Sequence, residues 1–154
     1  MTARFATHDT FVIEKTYEVA QDRVFAAWSN PKAKAKWFSP ADTFEFRVGG
    51  RETSRGGPPG GPIFAFEATY QEIVPGERIV YGYTLDMDET RISASVVTVE
   101  FKPAGSGTQL IFTEQGAFLD GHDSPSQREH GTNAMLDTLG QVLQSASASG
   151  DSEI

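Results

Sequence analysis

The sequence predicts an α+β domain in which a strongly curved antiparallel sheet wraps around one long C-terminal helix. Three observations predict it. Four successive runs, at 63–74, 78–87, 93–102 and 108–115, alternate apolar with polar residues and are separated by turn signals. The clearest helical pattern comes last, after Ser124. Only two short helical stretches interrupt the chain earlier, just after its first strand. A sheet with one apolar face and a helix with one apolar sector each need covering, and each can cover the other.

The elements follow in order. In TFVIEKTYEV (10–19) Phe11, Ile13, Tyr17 and Val19 share one face, with Lys15 interrupting it, so an edge or a strand end is expected. Residues 22–29 read as a short helix stopped at Asn30-Pro31, and Pro31 can begin a second one running to Trp37. Lys32 and Lys36 share a face of that helix and Lys34 points elsewhere, so the lysines are expected on a wet outer surface with their stems over apolar groups. Residues 44–47 suggest a strand, 48–50 a tight turn and 51–54 its continuation. RGGPPGGP (55–62) excludes helix and central strand and reads first as a plain hairpin loop, with a mobile flap as the alternative. In the four alternating runs the inward sets begin with Phe64 and Phe66, Ile79 and Tyr81, Ser95 and Val97, and Leu110 and Phe112. In the last helix Ser124 can cap the N-terminus, with Pro125 first and Gln127 completing a capping box. Met135, Leu136, Leu139, Val142 and Leu143 form its apolar sector. Residues 1–9 are expected to be an N-terminal tail, 10–144 a single domain, and 145–154 (SASASGDSEI, small and polar) a flexible C-terminal tail.

Composition narrows the function classes. The 154 residues contain no Cys, which excludes disulfides, thiolate metal sites and cysteine catalysis. The net charge of −8 is uneven. Residues 1–60 hold nine Lys and Arg against seven Asp and Glu, whereas 61–154 hold four against fourteen. Such an acidic second half repels phosphate backbones, so no nucleic-acid partner is expected. No apolar run is long enough to span a membrane and no signal-peptide pattern opens the chain, so a cytoplasmic protein without membrane insertion is expected.

Four pieces resemble a known family. VFAAWSNPKAKAKWF (24–38) is similar to a helix pair written V-x-x-A-W-T-x-P-x-x-x-x-x-W-F. Glu45-Phe46-Arg47-Val48-Gly49-Gly50 resembles an acidic-x-Arg-x-Gly-Gly turn. YQEIVPGERIV (70–80) resembles an aromatic-x-Glu-Ile-x-Pro-x-x-Arg-Leu-Val hairpin. Gly107-Thr108, the strand ending TEQG (113–116) and the terminal helix complete the set. Their order over Phe11 to Leu143 resembles the START-like, or SRPBCC, superfamily with its helix-grip fold, and within it the family named for the activator of heat-shock protein 90 ATPase. The resemblance implies a hollow between sheet and helix, used in the superfamily for lipids, hormones and polyketides, and the fold alone does not settle function. Two departures stand out. Gly131-Thr132 replaces a frequent Gly-Trp, which implies a wider or differently packed cavity base, and Glu114 replaces a frequent His.

No catalytic set is recognisable. There is no Gly-x-Ser-x-Gly elbow and no P-loop, since RGGPPGGP lacks the following Lys-Ser/Thr. His8, His122 and His130 are expected in solvent; LDGHDS lacks the separated ligands of a metal site, and DMDET fits no calcium loop. No metal and no cofactor are expected. Glu114 shares a face with Leu110 and Phe112 and so points inward, where it can anchor a ligand or act as general acid or base, with Arg47 a conceivable partner.

The first function class is therefore binding of a small apolar or aromatic ligand. Its expected lining is Trp28, Trp37, Phe46 and Arg47 from the first half, and Phe64, Phe66, Tyr81 and Tyr83 from the middle strands. Val97, Phe112, Glu114, Met135 and Leu139 complete it. The alternatives are a cyclase or hydratase acting on a polyketide-like substrate, with Glu114 its only candidate, and a chaperone-associated ATPase activator. A homodimer or a chaperone is left open as protein partner.

Overall fold

The computed structural model describes residues 3–149. The chain runs β1 (Ala6–Tyr17), α1 (Gln21–Ser29), α2 (Pro31–Lys34), β2 (Ala41–Phe44), β3 (Arg51–Gly56), β4 (Phe64–Val74), β5 (Arg78–Met87), β6 (Thr90–Ala104), β7 (Gly107–Leu119) and α3 (Pro125–Ser149). All seven strands form one antiparallel sheet in the order β1-β7-β6-β5-β4-β3-β2. Its apolar face closes on α3, with α1 and α2 at one end, which is the expected helix-grip arrangement. Inward residues Phe11, Ile13, Tyr17, Val97, Val99, Leu110 and Phe112 meet Leu136, Leu139 and Leu143 of α3 in one core. Burial of such side chains contributes about 1.5–3 kcal/mol each.

Local chemistry explains each end. The Asn30 side chain accepts from Lys32 N and Ala33 N, and Pro31 is the first residue of α2. Ser124 Oγ accepts from Gln127 N at 3.1 Å and so caps α3. The Tyr17 hydroxyl donates to the Leu136 carbonyl at 2.8 Å, pinning α3 to β1. Gly140 lets the helix come that close, since a Cβ there would lie 3.0 Å from the Tyr17 ring. Lys15, which interrupts the apolar face of β1, reaches out of it to Asp137 at 2.7 Å.

Several expectations need correcting. β1 begins at Ala6 rather than residue 10, because β7 runs on to Leu119 and pairs with it there. His8 is accordingly an exposed strand residue, not part of a tail. α3 continues through residues 145–149, where Ala and Ser offer no helix breaker and Ala146 is buried; residues 150–154, and 1–2 at the other end, lie outside the described residues. The second strand is Ala41–Phe44, and residues 45–50 form the turn: Gly49 has φ 83°, and a Cβ on Gly50 would lie 2.1 Å from the Glu45 carbonyl oxygen. Residues 57–63 hold no helix or strand, and Ile63 is tied to Asp88 through both backbone groups, Ile63 N to Asp88 Oδ1 and Asp88 N to Ile63 O.

Candidate functional site

A cavity of about 290 Å³ lies between the sheet and the first turns of α3. Phe66, Tyr81 and Tyr83 from β4 and β5 and Phe112 from β7 supply ring walls, and Thr132 and Met135 face them from α3. Gln127 and Gly131 border it and are exposed, so the cavity reaches solvent beside the helix. Phe38, Ser54 and Gly56 line its other end. Phe66 packs on Tyr83 with ring centroids 5.0 Å apart, which fixes the wall geometry.

One polar cluster lines this cavity. Glu114, only 1% exposed, accepts from the Tyr83 hydroxyl at 2.7 Å and from Arg128 at 3.3 Å, both on Oε2. Arg128 also donates to the Tyr83 oxygen at 2.7 Å, to Ser93 Oγ at 2.8 Å, and through Nε and Nη2 to Asp123 Oδ2. Its guanidinium lies over the rings of Phe118 and Tyr83, at 5.1 and 5.8 Å. Gly116 makes room for this stack: a Cβ there would come within 2.8 Å of Phe118 and 2.9 Å of Ser95 Oγ. Burial pushes the Tyr83 phenol well above its usual range, reinforced by the charge of Glu114. Burial works against the charge of Arg128, but Tyr83, Glu114 and Asp123 outweigh it and hold the guanidinium above its ordinary value.

A second polar cluster is sealed. Lys34 Nζ donates to Glu52 Oε1 at 2.8 Å, and the Tyr70 hydroxyl donates to the same oxygen. Rings of Trp28, Trp37, Phe38, Phe44 and Tyr81 surround the ammonium at 5.1–6.0 Å. Glu52 Oε2 and the indole nitrogen of Trp28 are buried without a hydrogen-bond partner. Burial pulls the Lys34 pKa down, opposed by Glu52, and raises that of the Tyr70 phenol together with the Glu52 charge.

Seven of the expected lining residues meet at the cavity: Phe64, Phe66, Tyr81, Tyr83, Phe112, Glu114 and Met135. The other six do not. Trp28 and Trp37 pack on each other at 4.6 Å behind the wall, and the Trp37 indole donates to the Ala27 carbonyl. Val97 and Leu139 are fully enclosed in the core, and Phe46 packs on Phe25 and Tyr70. Arg47 is largely exposed and sits 3.7 Å from Glu45, so it is no partner of Glu114; the turn turns it outward. Lys34 corrects the expected wet outer face, because it is 5% exposed inside the ring cage. Sequence reasoning missed Arg128 and Lys34, though both had a signal. Arg128 lies seven residues before Met135, nearly in line with it on a helix, and Lys34 is three residues before the inward Trp37.

Comparison with known proteins agrees with this architecture. Residues 18–144 match the family described as Activator of Hsp90 ATPase homolog 1-like protein. No curated protein sequence matches the chain. The crystal structure of protein Mll3558 from Rhizobium loti is 44% identical, with TM-score 0.86 over 90% of this chain and 99% of that one. An uncharacterised protein from Rhizobium leguminosarum is 41% identical, with TM-score 0.86 over 93% and 99%. CalU16 from Micromonospora echinospora shares the fold at 19% identity, with TM-score 0.66 over 93% and 86%. Matched over most of its length, the chain belongs to the family of Activator of Hsp90 ATPase homolog 1-like proteins, within the SRPBCC superfamily.

Proposed function

We propose that this protein binds a small, largely aromatic ligand in the cavity between the sheet and α3, with Glu114, Tyr83 and Arg128 as its polar end. The observation that carries the reading is the juxtaposition of a ring-walled void with one convergent, buried polar cluster. Apolar walls supply affinity and a few placed polar groups supply orientation, which is what small-molecule sites require. A volume of about 290 Å³ favours a compact ring system over a long lipid chain. The cytoplasmic location expected from the sequence belongs to the same proposal.

The test is native mass spectrometry of the purified protein followed by a thermal-shift screen against flavonoids, sterols, fatty acids and aromatic polyketides. A co-purified small molecule, or a melting temperature that climbs with ligand concentration, is expected. Met135→Trp, which fills the void from α3, should abolish the shift. A clean apo mass with no shift for any class would refute the reading.

A further inference from the structure

We infer that the occupant is a neutral aromatic molecule that donates a hydroxyl to Glu114, and that the site refuses carboxylates. This rests on the cavity being a ligand site and specifies the ligand's chemistry. Donors at the polar end are already committed. Arg128 uses Nε and Nη2 on Asp123 and Ser93, and Nη1 on Tyr83 and Glu114. Tyr83 accepts from Arg128 and gives its own proton to Glu114. A ligand carboxylate would therefore find no free donor among these side chains. What remains on these three side chains is an acceptor: both bonds to Glu114 fall on Oε2, which leaves Oε1 for a ligand at the cavity wall.

Charge points the same way. One cation, Arg128, is matched by two carboxylates, Glu114 and Asp123. A third carboxylate would add like charge beside Glu114, which is itself buried, where unpaired charge is costly. An ammonium would be drawn by the net negative charge, but at Oε1 it would give up its hydration to share a carboxylate already paired with Arg128 at 3.3 Å. A neutral hydroxyl avoids both penalties, and a ring carrying it would lie on Phe66, Tyr81 and Phe112.

Isothermal titration near neutral pH with four matched probes tests this: 2-naphthol, naphthalene, 2-naphthoate and 2-naphthylmethylammonium. We expect 2-naphthol to bind about tenfold more tightly than naphthalene, the effect of one hydrogen bond to a charged acceptor. Naphthoate should not bind detectably. In Glu114→Gln, whose amide can donate, naphthoate should gain binding while the lead of naphthol shrinks; the wild-type series decides the question even where that variant unfolds. Naphthoate or the ammonium binding as well as naphthol, or naphthol binding no better than naphthalene, overturns the hydroxyl inference and leaves the cavity a ligand site. Binding of none of the four overturns the ligand site itself and the inference with it.

Discussion

The two buried polar clusters are built from the same parts. Each takes a cation from a helix (Lys34 on α2, Arg128 on α3), a carboxylate from the inner face of a strand (Glu52 on β3, Glu114 on β7) and a tyrosine from the sheet (Tyr70 on β4, Tyr83 on β5). Their surroundings differ. Lys34 is closed in by five rings, whereas Glu114, Tyr83 and Arg128 line a void. The cations suit their places. An ammonium is a point charge that a ring cage can enclose, while a guanidinium fork can hold Tyr83, Glu114, Ser93 and Asp123 at once. The residue chemistry is therefore shared, and open space in front of one cluster is what distinguishes the two.

The sharpest way to break that contrast is Lys34→Met. It strands the Glu52 carboxylate in the core and should cost about 3–5 kcal/mol in urea unfolding, with naphthol affinity of the folded protein unchanged. Adding Glu52→Gln should recover much of the loss. A cost below about 1 kcal/mol would mean that water reaches Glu52 after all.

A smaller effect separates the tyrosines. Tyr70→Phe removes a hydroxyl bonded to a sealed carboxylate and should cost about 1.5–3 kcal/mol. Tyr83→Phe should cost less, because water in the cavity can replace the lost donor. Equal losses would erase the distinction between sealed and open clusters.

The smallest effect near neutrality appears only in alkali. Burial raises the phenols of Tyr17, Tyr70, Tyr81 and Tyr83 above the ordinary 10.0, and these are all the tyrosines of the chain. A raised folded value means stability that is intact below pH 10.0, where the unfolded phenols ionise, and that declines as pH climbs past it. Lys34 acts in the opposite sense: its lowered value means that its burial cost is relieved as pH approaches the ordinary 10.5. Tyrosinate absorbance should therefore stay flat through pH 10 and rise together with loss of circular dichroism. An earlier, separate step that disappears in Tyr83→Phe would show that the cavity cluster titrates while the sealed one holds.

Much of this was legible in the sequence, for stated reasons. The meander and α3 could be read because each has one apolar face, so period and turn signals agree. Glu114 was placed inward by counting in twos from Leu110 and Phe112. Glu52 gave no such signal, since RETSRG carries no apolar residue to define a face; only the structure shows Glu52 and Ser54 buried together. Lys34 and Arg128 were hidden by the expectation that charge faces water, although helical spacing put both beside inward residues. The tryptophans were rightly taken as interior, but periodicity reports which way a side chain points and not whether space remains in front of it.

The strand order carries one more consequence, for synthesis. β1 is made first and its partner β7 is made last among the strands, so Tyr17 must wait for Thr108 and Ala6 for Leu119. The hairpins from β4 to β7 can each close as they emerge, while β1 stays an unpaired edge until the sheet is otherwise finished. Its outward row during that wait is His8, Thr10, Val12, Glu14 and Thr16, polar except for Val12, which discourages pairing with another nascent chain. The cavity is thus the last part of the molecule to be enclosed, since its roof, α3, follows β7 and docks on β1 through Tyr17.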